Sequence, residues 1–81
     1  MIKKYMEKMK AKSNINVAKV VLDKLSNDLF FGIIYEADDK HWIQNINALC
    51  EANKYFDLEQ DINLYKANYE LYKETIKNKI S

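Results

Sequence analysis

Eighty-one residues with no proline and a single glycine, Gly32, leave little with which to build tight turns. Glycine supplies positive φ and proline a fixed φ, and strands and hairpins depend on both, so the chain is committed to a few long helices. Apolar residues recurring at helical spacing along the whole length point the same way.

Ile2, Tyr5, Met6 and Met9 share one face of a first segment, Ile2 to Lys12, whose other positions are largely lysine. The spacing predicts a short amphipathic helix, too short to persist unless docked. Ser13-Asn14 reads as a break, with side chains suited to capping the next helix. That second helix is predicted from Ile15 to about Glu36, with Ala18, Leu22, Leu25 and Leu29 as its best stripe and Val17, Val20 and Val21 widening the apolar band. Ser26-Asn27-Asp28 competes for backbone partners and is a point of interruption. The run from Leu29 to Tyr35 is apolar on every side and suits either a buried helical turn or a β-strand; with no second strand candidate a strand could pair only across a dimer, so a buried continuation of the helix is expected. Asp38 or Asp39 opens a third helix carrying Trp42, Ile43, Ile46, Leu49 and Cys50 and ending near Tyr55-Phe56.

Asp57-Leu58-Glu59-Gln60 resembles a capping box for a fourth helix reaching about Lys79. Leu58, Ile62, Tyr65, Tyr69, Tyr72 and Ile76 succeed one another at steps of four and three, the most regular seam in the chain. The expected architecture is all-α: a small irregular antiparallel bundle of three long helices plus a short N-terminal helix, one domain over residues 1–81. Phe30, Phe31, Ile34, Trp42, Ile46 and Leu49 are expected to form its centre against the last helix.

Chemistry-bearing patterns are few. His41 is the only histidine and Cys50 the only cysteine, and nine positions apart they fall on opposite sides of one helix, so no metal is expected. Ser13 and Ser26 lack a glycine-rich elbow, and no carboxylate pair stands out among twelve acids. Neither an enzymatic activity nor a cofactor is expected. A lone cysteine, no apolar run near the ~18 residues a bilayer span requires, and no cleavable leader pattern give the expectation of a cytoplasmic protein without a membrane span.

Charge is unevenly spread. Residues 1–12 carry five lysines against Glu7, residues 13–72 five lysines against ten acids, and residues 73–81 three lysines against Glu74. The basic first segment makes nucleic-acid binding through Lys3, Lys4, Lys8, Lys10 and Lys12 an alternative. The absence of arginine and the acids at the expected starts of the third and fourth helices weigh against it. The same segment is also compatible with a weak hold on an anionic membrane surface.

Two readings of the tyrosine seam stand side by side. Tyr65, Tyr69 and Tyr72 either complete the core or form a groove for another helix, with Leu64 and Leu71 widening the stripe. A chain this short hides only about 60–65% of the surface its unfolded form exposes, which favours stabilisation by a partner or a homodimer. The expected function is that of a small non-enzymatic protein-binding regulator or inhibitor that occupies a partner's surface. The acidic middle suits a partner with a basic face. Abundant Lys, Asn, Ile and Tyr without Arg suggests A+T-rich coding, compatible with a phage or mobile-element product.

Overall fold

A computed structural model of the chain describes the backbone of residues 2–80 and the side chains of residues 5–79. Three α-helices, α1 (Ile2–Phe30), α2 (Asp39–Ala52) and α3 (Glu59–Ile80), succeed one another, with a 3-10 turn at Glu36–Asp38 before α2. There is no strand among the described residues. The helices make an irregular, elongated bundle of 53 × 19 × 17 Å.

Each helix contributes one apolar stripe. On α1 it is Ala11, Ile15, Ala18, Leu22, Leu25 and Leu29, on α2 Trp42, Ile46, Leu49 and Ala52, and on α3 the seam from Leu58 to Ile76. Trp42, Leu22 and Leu49 are the largest fully buried side chains, each worth about 2–3 kcal/mol in removed apolar surface. Ile34, from the connection between α1 and α2, plugs one end.

The helices run up, down, up. Tyr55, just past α2, reaches Glu7 near the start of α1, and Tyr69 of α3 reaches Asp39 at the start of α2, so both neighbouring pairs are antiparallel. α1 and α3 are therefore parallel, and three polar rungs fix their register. Lys19 meets Asp61 at 3.2 Å, Tyr65 donates to Asp23 at 2.6 Å, and Asn68 donates to the buried Ser26 at 3.1 Å. Every rung joins residues 42 apart in sequence.

Several sequence expectations are corrected. The break at Ser13-Asn14 does not occur. The expected short N-terminal helix and the one after it are a single rod of 29 residues. Ala11, Ile15 and Ala18 lie on one continuous face there, and packing of that face overrides the local preference of Ser and Asn. At the other end α1 stops at Phe30 and does not continue to Glu36, because Gly32 adopts φ +78 and closes the helix. Phe30 and Phe31, expected at the centre, are exposed. α2 ends at Ala52, and Tyr55 and Phe56 lie in the turn beyond it, half-buried. Asp38 makes no side-chain cap. Asp57 accepts the Glu59 N–H at 3.4 Å, while Asn53 Oδ1 accepts the Leu58 N–H at 2.9 Å and ties the second connection.

Candidate functional site

Tyr65 and Tyr72 are buried and Tyr69 is half-buried. Of the two readings of the seam, the structure adopts the core one. Trp42 sits against Tyr69 and Tyr72 with ring centroids 6.1 and 5.7 Å away, and the two tyrosine rings stack on each other at 6.2 Å. Each hydroxyl then finds an acceptor on another element. Tyr65 donates to Asp23, Tyr69 to Asp39 at 2.8 Å, and Tyr72 to the Tyr35 and Glu36 carbonyls at 2.5 and 3.2 Å.

Burial disfavours the phenolates, and the neighbouring carboxylates reinforce the effect. The pKa of Tyr69 is pushed up to about 12, and those of Tyr65 and Tyr72 are also raised. These rings are occupied inside the molecule. Leu64 and Leu71 on the flank of the seam do face solvent.

The most concentrated apolar exposure lies elsewhere, at the corner between α1 and α2. Phe30 is 67% and Phe31 81% exposed, and Ile33 and Tyr35 are exposed beside them. The backbone beneath is held firmly. Ile33 N–H donates to the Asp28 carbonyl at 2.8 Å and Gly32 N–H to Leu29 at 3.1 Å, a Schellman closure with Gly32 in the left-handed position. Tyr72 then holds the carbonyls of Tyr35 and Glu36, and Lys79 that of Ile34 at 3.3 Å.

Phe30 is the next position after Lys19, Asp23 and Ser26 on the side of α1 that faces α3, and the 42-residue register sets Leu71 level with Leu29. Leu71 is exposed at that level of α3. Asp28, Glu36 and Asp38 stand among these side chains in sequence, with Asp28 paired to Lys24 at 3.4 Å.

The exposure of this corner contradicts the sequence expectation because an apolar run is not by itself a buried one. A signal is present in the sequence all the same: Leu22, Leu25 and Leu29 define the buried stripe, Phe30 lies 100° off it, and a glycine stands at a helix-ending position just beyond.

Among the described lysines of the first segment, Lys8 and Lys12 lie one turn apart on one side of α1 and Lys10 on the other. Lys3 and Lys4 have side chains outside the described residues. Lys8 lies over the Phe56 ring at 5.6 Å, and Lys10 lines a cleft with Glu7, Glu51 and Lys54. Lys12 is exposed, and Lys8 and Lys10 are 200° apart around α1.

Cys50 is exposed, and among the described residues no group of His, Cys, Asp and Glu is placed to hold a metal ion. An open cleft of about 260 Å³ between α2 and α3 is lined by Ile43, Ile46, Asn47, Lys66, Tyr69 and Glu70, with Glu70 its single carboxylate. Among the described residues no helix is long and apolar enough to cross a membrane. Compared with family models, with curated proteins and with solved structures, the chain finds no match.

Proposed function

We propose that the chain is a non-enzymatic regulator or inhibitor that occupies a partner protein's surface, and that the α1–α2 corner is what it inserts. The observation that carries this reading is the pair Phe30 and Phe31, exposed side by side on a backbone pinned by its own cap and by Tyr72 and Lys79. Exposed aromatic rings on a rigid support have the chemistry of interface anchors: large apolar area, few rotors to freeze, and no reorganisation on docking. Leu71 and Leu64 are further exposed apolar positions, on α3. Asp28, Glu36 and Asp38 suit a partner whose apolar pocket is rimmed by basic residues.

Affinity capture from the native host with the wild-type chain and with Phe31→Asp tests this reading. The Phe31 side chain is open to solvent, so Phe31→Asp keeps its helical circular dichroism. A partner retained by the wild type is weakened about thirtyfold or more, as for a central anchor. Capture of the same proteins at equal strength by both chains overturns the proposal.

A further inference from the structure

α1 is apolar on two opposite faces, and the bundle covers only one of them. The outer face holds Met6, Met9, Val17 and Val20, which are 63%, 57%, 61% and 70% exposed. Their positions mirror each other about Ser13: Met9 and Val17 lie four residues either side of it, and Met6 and Val20 seven. Offsets of four and seven from a common centre keep all five on one side of a helix. A stripe that reads the same in both directions fits a copy of itself laid antiparallel, with Met6 over Val20, Met9 over Val17 and Ser13 on the axis.

We infer that the chain forms a two-fold symmetric homodimer through this outer face of α1, the two helices antiparallel and crossing at Ser13. Two further observations favour a second copy over other occupants. The first is area. The chain exposes 6079 Å², whereas a compact monomer of 9.6 kDa exposes about 5,100 Å². The surplus of about 1,000 Å² is the size of the patch each partner gives to a stable complex, about 800 Å².

The second is charge. Residues 3–12 carry five lysines and one acid. A parallel pair stacks those two stretches on each other. The antiparallel pair lays each along residues 14–23 of its partner, where Lys19 and Asp23 cancel. Closed two-fold dimers are also the commonest form of self-association. The arrangement leaves the aromatic corner free, so it stands independently of the function proposed above. It also differs from a dimer built on the tyrosine seam, which the core has used.

Sedimentation equilibrium over a concentration series, with Val20→Asp as the variant, tests the dimer. The wild type sediments as a dimer. Val20→Asp, changed at an exposed site, keeps its helicity and sediments as a monomer. A wild-type chain that is monomeric at every concentration, or a Val20→Asp chain that dimerises as well as the wild type, overturns the inference.

Register is read separately in a Cys50→Ser background. Ser13→Cys on the axis forms a disulfide-linked dimer on oxidation, whereas Val20→Cys, seven positions from the axis, does not. Efficient cross-linking at both positions means a parallel pair and overturns the antiparallel arrangement.

Discussion

Tyr65, Tyr69 and Tyr72 each bring an apolar ring and one hydroxyl proton, and the fold uses both. The Tyr69 and Tyr72 rings fill the space beside Trp42 and Tyr65 packs into the same core, while the hydroxyls donate to Asp23, Asp39 and the Tyr35 and Glu36 carbonyls. A phenol held neutral by burial stabilises the fold only while it keeps its proton. A pKa raised in the folded state therefore gives stability that is complete below the ordinary phenol value of about 10 and is lost as pH rises through the folded value. For Tyr69 that window runs from about 10 to about 12. The urea midpoint is therefore expected to fall with rising pH across this window, and phenolate absorbance to grow in step with unfolding. A midpoint that stays level through the window would contradict the burial of these hydroxyls. The spacing of the seam is legible in the sequence, since steps of four and three can be counted. Its facing is not, because a stripe of tyrosines suits a core and an interface equally well until the acceptors are placed.

Among the elements, α1 shows most clearly where local preference yields to packing. Ser13 and Asn14 favour a cap, yet the rod passes through them because Ala11, Ile15 and Ala18 continue one buried stripe. Three helical stripes can be read from residue spacing. The lengths of the helices cannot, because they depend on which stripes meet. Gly32 ends α1 by adopting φ +78, with nothing within 4 Å of the place a Cβ would occupy. Space is therefore free at that position and only backbone strain opposes a side chain. Gly32→Ala is expected to cost about 1–2 kcal/mol in chemical denaturation. The loss belongs to the corner, so amides of Gly32 and Ile33 should exchange faster with solvent in that variant. An unchanged stability would show that the left-handed closure contributes nothing.

Across the whole molecule, the radius of gyration is 14.3 Å where about 12 Å is expected for a compact chain of this length. A slender bundle spends its apolar residues on two kinds of surface: the stripes turned inward and those left outward on α1, on α3 and at the corner. All-α architecture is readable because proline and glycine are so scarce. The outward surfaces are not, since Phe31 and Leu22 are equally apolar as letters and differ only in what the bundle places beside them.

Parallel alignment of the first and third helices has a consequence for the order of assembly. The first two helices pack most extensively on each other, whereas α3 meets α2 over a smaller interface and its three polar rungs to α1 must bring together groups 42 residues apart, a slower closure. A helical hairpin should accordingly form early, with the last helix arriving as a late, separable step. Trp42, the sole indole, lies 5.7 Å from the Tyr72 ring and so senses that arrival directly. In stopped-flow refolding, tyrosine-to-tryptophan energy transfer should lag behind the recovery of far-ultraviolet ellipticity. Simultaneous recovery of the two signals would mean that the three rods lock together at once.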